Sequence, residues 1–202
     1  METKGPRRDR TTAAEPPGVS QLPPALQARL EALQARAQNN PHDASVRQIA
    51  AARARDACEY CLLPTLGEFH IDQIIPRVRW DLYVRGEVPG LPPLDGRRGP
   101  DHLDNFAWAC PFCNEAKGQQ VTRRVGGRVT RLFDPRHDHW DEHFAFTDLF
   151  LFIAGGPGIG DATVRALRFN DARPRARLSA RHKQIMSGAY PPSWARAWAV
   201  RA

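Results

Sequence analysis

The four cysteines of this 202-residue chain fall into two closely spaced pairs. Cys58 and Cys61 form one C-x-x-C pair, and Cys110 and Cys113 form the other. Two such turns can supply the four thiolates of a tetrahedral zinc site, and a site with four protein ligands is structural. The alternatives are two disulfides or a redox-active pair. Disulfides are rare in cytoplasmic proteins, and no thioredoxin-like βαβ pattern supports redox chemistry. We therefore expect one structural zinc ion.

A second group of polar side chains lies in and beyond the unit between the two cysteine pairs. His70, Asp72 and Gln73 belong to the strand-like sequence HIDQIIP, Asn105 precedes the second pair, and Asn114 follows it. Carboxylate and amide oxygens are ligands that Mg²⁺ or Mn²⁺ accepts. Taken singly, Asp72 fits a strand-end turn better than a metal ligand, and Asn114 fits a helix N-cap better.

The order of these motifs resembles the HNH endonuclease family. It runs from CEYC at residues 58–61 through HIDQIIP and Asp104-Asn105 to ACPFCNEAKG at residues 109–118. The resemblance covers about residues 56–120, and the stretch LFDPR with the following Trp140 and His143-Phe144 extends it more weakly. It implies a ββα-metal core that is held together by a structural zinc ion and binds a separate, catalytic cation. The implied activity is hydrolysis of DNA phosphodiester bonds.

The resemblance also assigns roles to individual residues. It implies that Asp72 and Asn114 bind the catalytic Mg²⁺ or Mn²⁺ and that Asn105 holds the loop that aims the general base. Lys117 lies one helical turn beyond Asn114, so we expect it to meet a phosphate. His70 shares a strand face with Asp72 and is expected to act as a base or as a metal ligand.

Gln73 stands where the family has its general-base histidine. An amide cannot usefully accept a proton near neutral pH, whereas an imidazole can. Three interpretations remain open from the sequence. His70 or His102 supplies the base; or the chain binds metal and nucleic acid with little or no cleavage; or the glutamine was introduced to disable the enzyme.

The charge of the chain is unevenly distributed. The net charge of +7 divides into +3 over residues 1–57, −4 over 58–116 and +8 over 117–202. A basic flank beside an acidic centre suits DNA approaching a cation site, although an arginine-rich solvated surface explains it equally well. No recognition helix stands out, so a separate partner protein could provide targeting. The cations expected to contact DNA are Arg77, Arg97, Arg98, Lys117, Arg123 and Arg124.

The sequence predicts an α+β fold in four parts. These are a disordered tail (1–24), N-terminal helices (25–57), the nuclease core with its zinc site (58–120) and an accessory region packed on the core (121–202). No apolar run approaches the roughly 18 residues of a membrane helix, and no secretory signal is visible. We therefore expect no membrane partner and a cytoplasmic protein.

The remaining predictions concern local structure. The RHDHWDEHF stretch (residues 136–144) is interpreted as structural, and the glycine-rich 155–160 as a turn without the features of a phosphate loop. Helices are predicted near 24–36, 43–56, from about 111, 161–169 and 171–187. Strands are predicted near 69–75, 128–133, 144–146 and 149–153, with a long loop at 76–104.

Overall fold

A computed structural model describes residues 44–64, 67–91, 96–171 and 175–199. Over these residues the fold is mixed α+β, as predicted. The predicted tail and first helix lie outside the described residues. The elements are short helices and strands: α1 (Ala44–Arg53), β1 (His70–Gln73), α2 (Arg77–Val84), β2 (Phe106–Ala109), α3 (Pro111–Lys117), β3 (Thr122–Val125), β4 (Arg128–Arg131), α4 (Trp140–His143), β5 (Phe144–Thr147), β6 (Phe152–Gly155), α5 (Ile159–Ala166) and α6 (Arg175–Met186). Among the described residues, 3₁₀ turns span Leu103–Asn105 and Ser193–Trp198.

The described strands form three separate antiparallel pairs: β1 with β2, β3 with β4, and β5 with β6. In the first pair His70 lies opposite Ala109, and Gln73 lies opposite Phe106. Helix α3 follows β2 directly and contacts both strands of this pair. The pair and the helix together therefore bring the HIDQ segment beside the residues that follow the second cysteine pair.

Helix α3 begins where the sequence leads us to expect. Pro111 occupies the first turn, where its missing N–H costs nothing, and the Cys110 sulfur accepts a hydrogen bond from the Cys113 backbone N–H at 3.4 Å. Asn114 and Lys117 are three residues apart and therefore lie on one face of the helix. That face is turned toward β1, where both side chains have their partners.

The segments after α3 share a hydrophobic core with the cysteine-bearing unit. Trp140 stacks on Phe146 and Trp198, with ring centroids 4.9 Å and 5.3 Å apart. Its indole N–H also donates a hydrogen bond of 3.0 Å to the carbonyl oxygen of Tyr60. These contacts join residues far apart in the chain, so the C-terminal segments help to hold the turn between the first two cysteines.

The prediction of one long loop at residues 76–104 is wrong in part, because this segment contains helix α2. The sequence RVRWDLYV carries neither glycine nor proline, and Pro76 lies just before the helix in an extended conformation that suits a helix start. Tyr83 is buried, and its ring lies 5.4 Å from that of Trp80. The glycines and prolines that indicated a loop are concentrated after this helix.

Two predictions in the C-terminal half also need correction. Strand β3 was not predicted; it forms a hairpin with β4 through Gly126-Gly127, whose positive φ values of 53° and 81° suit a two-residue turn. The strand predicted from Leu149 begins only at Phe152, because residues 148–150 have positive φ values of 48–71° and form a turn.

The glycine-rich segment after β6 is a point of close packing. A Cβ atom on Gly160 would lie 2.2 Å from the carbonyl oxygen of His143, so only glycine fits between α5 and the end of α4. Helix α5 begins at Ile159 and ends at Ala166, two to three residues earlier at each end than predicted. No helix in the described part of the chain is long and apolar enough to cross a membrane.

Candidate metal centre and adjoining cleft

The four cysteines meet in the interior of the molecule. All four are buried thiols, and their sulfur atoms lie within 4.8 Å of one another. The Cys61 and Cys110 sulfurs are 3.7 Å apart. A tetrahedral ion with Zn–S bonds of about 2.3 Å places its sulfur ligands about 3.8 Å apart. The donor set and its spacing therefore fit a metal ion such as zinc.

The first cysteine pair lies on a tight turn of the backbone. The Cys58 N–H donates to the Leu63 carbonyl at 2.8 Å, and the Leu62 N–H donates to the Cys58 carbonyl, also at 2.8 Å. Leu62 has a φ of 59°, a conformation that turns the chain sharply. The turn brings both sulfurs to one side, facing the second pair at the start of α3.

The protonation of the cluster depends on its burial. Burial raises the pKa values of the Cys58 and Cys113 thiols well above their usual range. Hydrogen bonds from the neighbouring thiols, chiefly Cys110, lower the pKa of Cys61. A metal ion binds thiolates, so binding releases protons and weakens as the pH falls.

An open cleft of about 800 Å³ lies beside β1 and α3. The structure brings most of the predicted catalytic residues to this cleft. The Asn114 amide nitrogen lies 3.3 Å from Nδ1 of His70, whose side chain is exposed. The polar residues that line the cleft are Arg47, Glu68, His70, Asp72, Gln73, Arg77, Asp101, Asn114 and Gln119.

Asp72 lies at the buried end of the cleft. Its carboxylate accepts a hydrogen bond of 2.5 Å from the Tyr60 hydroxyl, and the Lys117 ammonium lies 3.0 Å away. Burial raises the pKa of Asp72, and Lys117 opposes this effect. Lys117 was expected to meet a phosphate. Its side chain is only 2% exposed and donates a further hydrogen bond of 2.7 Å to the Gln73 carbonyl. Lys117 is therefore the buried counter-charge that the Asp72 carboxylate requires.

Gln73 is held at both ends of its amide. Its Nε2 donates to Asp101 Oδ1 at 2.7 Å, and its Oε1 accepts from the Arg77 backbone N–H at 3.0 Å. The Arg77 guanidinium pairs with the same Asp101 carboxylate, although its side chain is 66% exposed. Asp101 is a site residue that was not predicted from the sequence; its position four residues before Asn105 was the one signal for it.

Asn105 is fully buried, and its side chain forms four hydrogen bonds. Its side-chain oxygen accepts from the Ile75 N–H and from Arg97, both at 2.9 Å. Its amide nitrogen donates to the carbonyls of Ile75 and Pro100, both at 2.8 Å. Asn105 therefore joins the segment just after β1 to the loop that carries Asp101.

The expectation that Arg97 contacts DNA does not fit its placement. Its side chain is 1% exposed, and its guanidinium pairs with Asp134 as well as with Asn105. The neighbouring Arg98 is exposed and pairs loosely with Asp104 at 3.3 Å. On the β3–β4 hairpin Arg124 is exposed and Arg123 is half-buried. Of the six predicted DNA contacts, Arg97 and Lys117 thus lie inside the molecule.

Arg97→Met is expected to destabilise the fold by about 3–5 kcal/mol, because it leaves the Asp134 carboxylate buried without its cation. Burial already raises the pKa of Asp134, and the positive charge of Arg97 is the largest influence that lowers it. Urea unfolding would measure the change. Arg98→Met is the matched control and should cost no more than about 1 kcal/mol, since its ion pair is exposed. Equal losses in the two variants would contradict a structural role for Arg97.

The other histidines of the described residues are not part of the cleft lining. His102 is buried and its Nδ1 accepts a hydrogen bond from the Asp104 N–H, so this candidate base does not line the cleft. His143 packs its ring against Phe133, with centroids 5.9 Å apart. Within the described ranges the cysteine cluster is the one group of three or more His, Cys, Asp or Glu side chains close enough to hold a metal.

Comparisons of the chain with models of protein families, with curated proteins and with solved structures gave no match. The interpretation of the cleft therefore depends on the chemistry and geometry of its residues and on the sequence resemblance. Together these describe a mixed α+β protein with a four-cysteine cluster suited to a metal ion and a polar cleft beside it.

Proposed function

We propose that this chain is an HNH-type, metal-dependent endonuclease that hydrolyses DNA phosphodiester bonds. The observation that supports this most is the convergence of His70, Asp72 and Asn114 on one cleft, at the junction of an antiparallel strand pair and the helix that follows it. In the proposed ββα-metal core the four-cysteine cluster binds zinc and holds this junction together. The second ion is Mg²⁺ or Mn²⁺.

Asp72 and Asn114 would hold the catalytic cation, with His70 beside them. An ionised carboxylate has about four acceptor positions, so Asp72 retains capacity beyond its contacts with Tyr60 and Lys117. A carboxylate and an amide oxygen fit a hard divalent ion. Such an ion would stabilise the negative charge that develops on the phosphate.

Other residues of the cleft would bind the substrate and move the proton. His70 is exposed at the cleft, so its imidazole can accept the proton of the attacking water. Arg77, held by Asp101 and largely exposed, can contact a phosphate at the cleft mouth. Arg98, Arg123 and Arg124 would add sequence-independent contacts to the DNA backbone.

A second candidate function is DNA binding with impaired or absent cleavage. It is favoured by the hydrogen bonds of Gln73, because Asp101 and the Arg77 N–H occupy both ends of its amide. A glutamine fixed in this way supplies no base at the position where the family has histidine. Such a module would keep the four-cysteine zinc site and the basic surface, and its rate of DNA cleavage would be low or zero.

Nicking of supercoiled plasmid in Mg²⁺ or Mn²⁺ separates the two candidates. We expect the wild-type chain to nick and Asp72→Asn, or omission of both Mg²⁺ and Mn²⁺, to abolish nicking. Glu115→Gln is the matched control, because it removes an exposed carboxylate from the same helix as Asn114. His70→Ala should reduce the rate by about 10²–10⁴-fold if this histidine is the base.

The negative outcomes are equally informative. Absence of nicking together with DNA binding that weakens steeply with salt would favour the impaired module. Absence of both nicking and DNA binding, in protein that is folded and carries its metal, would rule out both candidates.

A further inference from the structure

Arg177 of helix α6 is buried against the cysteine cluster. The residue is 4% exposed, and its guanidinium lies 3.8 Å from the sulfur of Cys113. The same group donates hydrogen bonds to the carbonyl oxygens of Leu167 and Arg168, just after α5, and lies 5.6 Å from the ring centroid of Phe112. Its position is thus fixed by the backbone on one side and faces a sulfur on the other.

Arg181, one helical turn later, is buried still more completely, at 1% exposed. Its guanidinium donates to the carbonyls of Leu151 at 2.7 Å and Phe169 at 3.1 Å. It also lies 5.6 Å from the ring centroid of Tyr190, whose hydroxyl donates to the backbone carbonyl of Cys61 at 3.1 Å. Through the Tyr190 ring, Arg181 is therefore connected to the backbone of Cys61, a member of the same cluster.

Neither arginine forms an ion pair with an aspartate or glutamate of the described residues; their partners are backbone carbonyls, aromatic rings and a sulfur. A buried cation without a neighbouring anion destabilises the folded state. The cysteine cluster can supply the missing charge. One divalent ion bound by four thiolates carries a net charge of −2, which two guanidinium groups balance.

We propose that helix α6 supplies the counter-charge of the metal–thiolate cluster through Arg177 and Arg181. Binding of a divalent metal by the four cysteines then stabilises the docking of the C-terminal segment, residues 175–199. By reciprocity, the docked helix increases the metal affinity of the cysteines. This coupling concerns the cysteine site alone and is independent of whether the cleft cleaves DNA.

Competition between the full-length protein and a chromophoric chelator for Zn²⁺ tests this coupling. Groups beside the ligands of a metal typically contribute 10- to 100-fold in affinity. We expect Arg177→Met and Arg181→Met each to weaken zinc binding by about 10-fold or more. Arg177→Lys, which retains the charge, should weaken it less. Lys183→Gln is the matched control, because it removes an exposed cation from the same helix and should leave the affinity unchanged.

A zinc affinity of either methionine variant equal to that of Lys183→Gln would overturn the proposal. If one methionine variant fails to fold, the other decides by the same criterion. If both fail, Arg177→Gln and Arg181→Gln, which remove the charge but keep a side-chain N–H donor, decide by the same criterion.

Discussion

Removal of the metal from the four-cysteine cluster is expected to unfold the protein. The two cysteine pairs come from segments about 50 residues apart, and all four thiols are buried in the same core. Structural zinc contributes roughly 10–16 kcal/mol of apparent binding free energy at pH 7, comparable with or larger than the whole stability of a small domain. Cys110→Ser should therefore lose both the metal and the cooperative thermal transition, as followed by elemental analysis and circular dichroism.

Ala166→Ser provides a matched control for this experiment. Ala166 is 2% exposed in the same core, so the substitution also buries a hydroxyl group but removes no metal ligand. We expect this variant to retain its metal and to lose about 1–3 kcal/mol at most. A metal-free wild-type protein that melts at the same temperature as the metal-loaded form would contradict a stabilising metal site.

The pH dependence of this stability has a definite sign. The metal binds thiolates, and burial raises the pKa values of Cys58 and Cys113. Protons therefore compete with the metal more strongly as the pH falls. The metal-dependent part of the stability should decrease toward acidic pH and increase toward alkaline pH.

The parts of the fold and site that the sequence predicted are those determined by local spacing. Two C-x-x-C pairs indicated one cluster, and the structure brings all four sulfurs together. The Pro111 start of α3 was visible in the same way, since a proline fits the first turn of a helix. In each case the relevant residues are close neighbours in the chain or share a chemistry that few arrangements satisfy.

The failures concern residues whose role depends on distant partners. Lys117 is separated by 45 residues from Asp72, and Arg97 by 37 residues from Asp134. A basic residue in a sequence favours a surface position, because a buried cation is costly unless an anion meets it. Only the tertiary structure reveals those anions, so both residues were assigned to DNA contact.

If wild-type cleavage lacks a general base, Gln73→His is expected to increase plasmid nicking by about 10²–10⁴-fold, the usual contribution of such a base. If His70 already acts as the base, the gain should be small. The contacts of Gln73 give a physical reason for this expected gain in nicking. An imidazole at position 73 can donate one ring N–H to Asp101, as the glutamine amide does now at 2.7 Å, and leave its other nitrogen free to accept a proton. The nicking rate should rise as the pH increases through the imidazole pKa, about 6.5 when unperturbed and higher beside a carboxylate.

Gln119→His is the matched control for this gain. Gln119 is exposed and lines the same cleft, so the change adds an imidazole to the cleft without replacing the amide that Asp101 binds. Adding Asp101→Asn to the Gln73→His protein should remove much of the gain, since the ring then loses the carboxylate that orients it. If Gln73→His nicks no faster than Gln119→His while both bind DNA, a side chain at position 73 does not reach the reacting water. His70 then becomes the residue on which cleavage depends, because among the described residues it is the remaining histidine that lines the cleft.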